Sequence, residues 1–263
     1  MLKKIIKYDL KWINKILIMF YIILLFLSLI LRAIETLEMT NIVIIIDKIL
    51  IGTLISGIIS CIFNSLIRFW VLFINTIYKD QSYLTHTLPV SRKTVYDGKL
   101  LSGLISLVTS FIIIFICILI LFIGNDKMDL IKSIFDALKV MFGSNTSISI
   151  ITSFIIMIVL EVMEMLQFGV FGIILGHKSN SGKTIKAIVL GVVSYNMTQT
   201  LMLGIIYIIS MFNSGLGELF KTGMPSSNSM ILFVYIAMSL YILFNIILYF
   251  LNRKLISKGV DVD

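Results

Sequence analysis

Leu100-Leu-Ser-Gly-Leu-Ile-Ser-Leu-Val-Thr-Ser-Phe-Ile-Ile-Ile-Phe-Ile-Cys-Ile-Leu-Ile-Leu-Phe-Ile123 holds no charge, no proline and no polar side chain larger than a hydroxyl or thiol. A helix needs about 20 mostly apolar residues to cross the hydrocarbon core of a bilayer, and this stretch is long enough. Its apolar residues run on continuously instead of alternating, which excludes the strands of a transmembrane barrel. Five further stretches read the same way, at 16–31, 49–77, 148–175, 185–212 and 230–251. Those at 49–77 and 148–175 exceed the bilayer thickness and have room to tilt.

The whole composition agrees. Of 263 residues, 59% are hydrophobic and 14% charged, against about 45–50% and roughly 25% in soluble domains. Mean hydropathy is +1.05. Too little polar surface exists to cover a soluble domain, and the charge is too low for a disordered chain. The expected fold is an all-α polytopic membrane protein, one transmembrane domain over 1–263 with six transmembrane helices. The basic start runs into an apolar stretch without a small-residue cleavage site, so the first span is expected to remain as an anchor. Cys61 and Cys117 fall inside apolar runs, where they act as small hydrophobes and not as a disulfide framework.

The net charge of +8 is informative by position. Fifteen of the 22 lysines and arginines lie in the N-terminal segment, the second and fourth loops and the C-terminal tail. By the positive-inside rule these face the cytoplasm, which puts both termini there. No solvated basic domain exists to grip nucleic acid, so no nucleic-acid partner is expected.

Three segments outside the spans stand out. In 1–15, Lys3, Lys7, Lys11 and Lys15 form one helical stripe, while Leu2, Ile5, Ile6 and Ile13, with Trp12 at the edge, form the other face. Such a helix is expected to lie in the membrane interface, its lysines toward anionic lipid headgroups. Asp9 interrupts the apolar face; it either pairs with a lysine of a cytoplasmic loop or contacts a partner protein. On the opposite side of the membrane, Ile131, Ile134, Phe135, Leu138 and Phe142 give the 124–147 loop a second amphipathic pattern, read as a packing element. Between the second and third spans, over 78–99, Tyr83, Leu84 and Leu88 make a small apolar ridge. Pro89 stops this element and Ser91 caps the next helix. The ridge has no lipid to bury into, and Arg92 and Lys93 rim it, which suits docking onto another protein.

The run Tyr83-Leu84-Thr85-x-Thr87-Leu88-Pro89-Val90-Ser91-Arg92, followed by Lys99-Leu100-Leu101, resembles the ABC-2 type permease subunits of bacterial ABC exporters. The opening Lys7-Tyr8-Asp9-Leu10-Lys11 and the six-span order are similar to that family along the whole chain. The resemblance implies an interfacial elbow helix at the start. It also implies a coupling element at Tyr83, Leu84, Thr87, Leu88, Pro89 and Arg92, and a pair of permeases seated on two ATP-binding subunits. ATP and Mg would then sit on the partner ATPase, with no cofactor bound by this chain. The isoleucine- and lysine-rich usage fits an AT-rich, Gram-positive bacterial source, and the resemblance implies the bacterial cytoplasmic membrane.

Polar residues inside the spans are the remaining candidates. Ser56, Ser60, Asn64 and Arg68 recur every four residues in the second span, and the fifth carries Tyr195, Asn196 and Gln199. Both faces serve either helix packing or a translocation pathway. The fourth span holds Glu161 and Glu164, three residues apart. An acid at mid-bilayer costs roughly 2.5–3.5 kcal/mol on insertion scales and needs a partner, a proton or water. Arg68 matches Glu164 in depth and is the expected partner; a proton relay through Glu161 is the alternative. Gly169, Gly172 and Gly176 are expected to bring two helices close.

Other chemistry is not expected. Gly176 to Thr184 imitates a phosphate-binding loop, but has five residues between its glycines where the motif has four. His86 and His177 stand in separate loops without a metal-binding pattern, and no serine sits in a nucleophile elbow. No catalytic residue or metal site is therefore expected. The alternatives to a permease are a proton-coupled secondary transporter using Glu161 and Glu164, and a non-transporting membrane accessory protein.

Overall fold

The computed structural model describes residues 2–34, 40–79, 81–87, 89–122, 148–179, 181–213, 215–217, 220 and 227–258. Leu88 and the amphipathic pattern of 124–147 lie outside the described residues. The described secondary structure is helical throughout: α1 Leu2–Ile34, α2 Asn41–Ile77, α3 Ser82–Thr87, α4 Arg92–Phe122, α5 Ile148–Gly176, α6 Lys183–Phe212 and α7 Ser227–Ser257. All but α3 are long and apolar enough to cross a membrane. The chain divides into two compact units, one holding α1 to α4 and the other α5 to α7.

Local chemistry sets the helix ends. Thr40 caps α2 by accepting the Val43 amide at 3.4 Å. Ser91 caps α4 as expected, accepting the Thr94 amide at 3.2 Å. Gly182, at φ 64, turns the chain into α6 in a conformation that disfavours a side chain.

In the first unit α1 packs on both α2 and α4. Asp9 meets Lys99, and Tyr21 Oη lies 2.8 Å from Ser110 Oγ. These pairs are separated by 90 and 89 positions, so α1 and α4 run parallel with a constant register. Gly103 lets Phe69 of α2 approach α4, and Gly57 admits Leu24 of α1. Cys61 and Cys117 are buried and unbridged.

The N-terminal segment differs from the expectation. Residues 2–15 are continuous with the first span in one helix, since nothing between Lys15 and Ile16 breaks it. Lys3, Lys7 and Lys11 remain exposed. The opposite face is used by protein: Ile13 is fully buried, Ile5 lies against Gly98, and Asp9 pairs with Lys99. This segment thus meets α4 through Ile5 and Asp9, while Leu2, Ile5 and Ile6 stay half-buried.

In the second unit α5 packs on α6 and α7. Gly172 and Gly176 face Ala187 and Gly191, with backbone against backbone. Matching small residues at four-residue spacing on each helix allow this antiparallel contact. The α5–α7 contact is parallel and polar. Asn245 Nδ2 donates to Leu160 O at 3.1 Å, and Asn252 Nδ2 donates to Gln167 O at 3.1 Å, both across 85 positions.

Candidate functional site

Two sites follow from this architecture, one in each unit. The first is α3, six residues long, between two spanning helices. Thr85 N donates to Gln81 O at 3.1 Å, starting the turn. Pro89 has no N–H to give the Thr85 carbonyl, so the helix cannot run on. Ser82 is buried, whereas Tyr83 and Leu84 are 75% and 66% exposed. Thr87, Pro89 and Arg92 are exposed as well. The expected docking residues are thus each accessible, apart from Leu88, which is not described.

Behind α3 lies a cavity of about 300 Å³, lined by Lys4, Tyr8, Asp9, Gln81, Thr85 and Lys99 among others. The Asp9–Lys99 ion pair in its wall ties the start of α1 to the second turn of α4. Sequence reading singles out Asp9 as a misfit whose expected partner is a loop lysine or another protein, and places Lys99 among the loop cations without linking the two. Their pairing resolves the misfit as an ion pair, placing Lys99 within a helix.

In α2, Ser56 is exposed while Ser60, Asn64 and Arg68 are half-buried. Asn64 Nδ2 donates to Ser60 O at 2.8 Å within its own helix. The Arg68 guanidinium lies 4.7 Å over the Trp12 ring, a cation–π contact. Trp12, expected at the membrane interface, serves here as the platform for Arg68.

The second site is a polar layer inside the α5–α7 bundle. Tyr195 Oη donates to Glu161 Oε1 at 3.1 Å, and Gln199 Nε2 donates to Glu164 Oε2 at 3.3 Å. Tyr241 Oη donates to Gln199 Oε1 at 3.2 Å. Three helices thereby converge on two carboxylates one turn apart. Asn196 stands aside from the layer; it is exposed and donates to Val192 O of its own helix at 2.8 Å. Glu164, paired with Arg68 in the sequence expectation, has Gln199 as its donor within this unit, and Arg68 belongs to the other unit.

Sequence reading missed Gln167, Tyr241, Asn245 and Asn252. Gln167 Nε2 donates to Asn245 Oδ1 at 2.8 Å, extending the layer along α5. The signal was present: Tyr241, Asn245 and Asn252 are spaced by four and seven residues, and therefore fall on one face. Among the described residues no cluster of three or more His, Cys, Asp or Glu side chains is placed to hold a metal ion.

Compared with known protein families, curated proteins and solved structures, the chain matches none.

Proposed function

We propose that this chain is the transmembrane permease subunit of an ABC-2 type, ATP-driven exporter. The observation that carries the reading is α3: a short helix outside the spans that buries Ser82 and presents Tyr83 and Leu84 outward. In this reading two copies of a separate ATP-binding subunit hold ATP and Mg and dock on that face. Their closure pushes α3, and the packing of α2 and α4 on α1 carries the displacement into the spanning helices. The Asp9–Lys99 pair couples the start of α1 to the same movement. A second copy of the permease, or a related chain, completes the pathway. The cargo is an amphipathic peptide, a lipid or a drug. The membrane is the bacterial cytoplasmic membrane, with both termini inside and membrane lipids around the spans.

The test is crosslinking in cells. A photoreactive residue replacing Tyr83 or Leu84 should give an adduct with a P-loop ATPase. The same residue replacing Ile112, an exposed position in the apolar part of α4, should not. Equal crosslinking from both places, or none from α3, would remove the docking claim.

A second reading has its own support. A proton-coupled secondary transporter would use the Glu161–Glu164 layer, whose carboxylates receive hydrogen bonds from Tyr195 and Gln199. It predicts dependence on the proton gradient and indifference to any ATPase.

A further inference from the structure

We propose that Glu164 is a proton-binding site inside the α5–α7 bundle, loaded from the Asn252 end of the unit by way of Gln167. The proposal deepens the proton-coupled reading but does not need it, because such a site is also compatible with an ATP-driven permease.

Glu164 is 0% exposed and has two oxygens to satisfy. Gln199 supplies a donor to Oε2, while Oε1 is buried without any hydrogen-bond partner. An uncompensated buried carboxylate oxygen is costly, and a proton on Oε1 removes both the charge and the vacancy. The surrounding groups make the charge more costly still. Glu161 is one turn away on α5, Tyr195 approaches from α6 and Tyr241 from α7, and none of these brings a positive charge. Within this unit, among the described residues, no lysine, arginine or histidine pairs with either carboxylate. A bound metal cation fits less well, since Tyr195 and Gln199 turn hydrogens, not lone pairs, toward the acids.

An independent observation gives the direction of loading. Gln167 Oε1 and Asn252 Oδ1 are also buried oxygens without a donor, in side chains 5% and 0% exposed. Gln167 lies one turn beyond Glu164 on the same helix face. Asn252 is bonded to the Gln167 backbone carbonyl at 3.1 Å. Asn252 also stands only five residues before the end of α7 at Ser257. Buried oxygens of this kind are the usual hosts of internal water. Hydronium delivered along them gives its proton to Oε1 and leaves as water, converting the carboxylate to the neutral acid.

The experiment is infrared spectroscopy of the full-length protein in lipid nanodiscs. At neutral pH the wild type should show a protonated-carboxyl C=O band that shifts in D2O. Glu164→Gln should abolish it, and Glu161→Gln should retain it. Asn252→Leu should slow its deuterium exchange severalfold. If Glu164→Gln does not fold, Gln199→Met serves instead, because losing that hydrogen bond must move the band. No band at neutral pH, as for a Glu164 ionised in a pair with Arg68, overturns the proposal. So does a band indifferent to both substitutions, or one removed when sodium replaces choline at constant ionic strength. An Asn252→Leu protein with unchanged exchange overturns the loading route. None of these measurements involves an ATPase, so this inference and the docking proposal fail separately.

Discussion

Asp9 and Lys99, ninety positions apart, form a buried ion pair with Nζ–Oδ1 3.4 Å. It fixes the register of the parallel α1–α4 contact at the level where α3 joins the first unit. Removing one member of a buried pair strands the other charge, which costs roughly 3–5 kcal/mol. Asp9→Leu and Lys99→Met should each lower the unfolding temperature of the purified protein markedly. The double variant should recover most of the loss. Additive losses in the thermal-melt cycle would show that the two residues act independently.

The α5–α6 contact depends on absent side chains. A Cβ at Gly172 or Gly176 would run into backbone atoms of Ala187, which cannot move aside as a side chain would. Gly172→Ala and Gly176→Ala should cost at least the roughly 1–3 kcal/mol typical of overpacking. Gly52→Ala meets nothing within 4 Å and should fold as the wild type does. Size-exclusion profiles and melts of the three variants separate these outcomes.

The polar layer predicts a smaller, graded effect. Interhelical hydrogen bonds in membrane bundles are worth about 0.6 kcal/mol on average and about 1.7 at most. Tyr241→Phe, which removes only the bond to Gln199, should fall in that range by reversible unfolding in detergent. Asn245→Leu should cost more. Asn245 donates to Leu160 O and Tyr241 O and receives Gln167 Nε2. Equal losses would mean that Asn245 contributes no more than a single bond.

How far the sequence reveals this depends on range. The six long apolar stretches, the Ser91 cap and the Gly172–Gly176 spacing are local patterns, and each has its counterpart in the structure. The partners are not local. Nothing near Asp9 points to Lys99, and Ala187 and Gly191 become visible as partners only once α5 and α6 are antiparallel. The 1–15 segment shows the same limit. Its amphipathic period predicts a helix with two faces, but whether lipid or α4 covers the apolar face is decided by tertiary packing. Arg68 is similar, since the ring of Trp12 beneath it comes from another helix. Asn245 and Asn252 share a face by spacing, but Asn245 is a lone polar residue among apolar neighbours and Asn252 merges with the basic Arg253-Lys254 end of the span.

Docking of an ATPase on the α3 face is the step on which the proposed function rests. Its most direct measurement is purification of the tagged full-length protein from its native membrane in mild detergent, with identification of what accompanies it. The account predicts a soluble P-loop ATPase with the wild type. Tyr83→Asp and Leu84→Asp should lose it while remaining folded, since both side chains point away from the packed helices. A folded, monodisperse wild-type preparation without an ATPase would contradict the account, as would an ATPase retained equally by both variants.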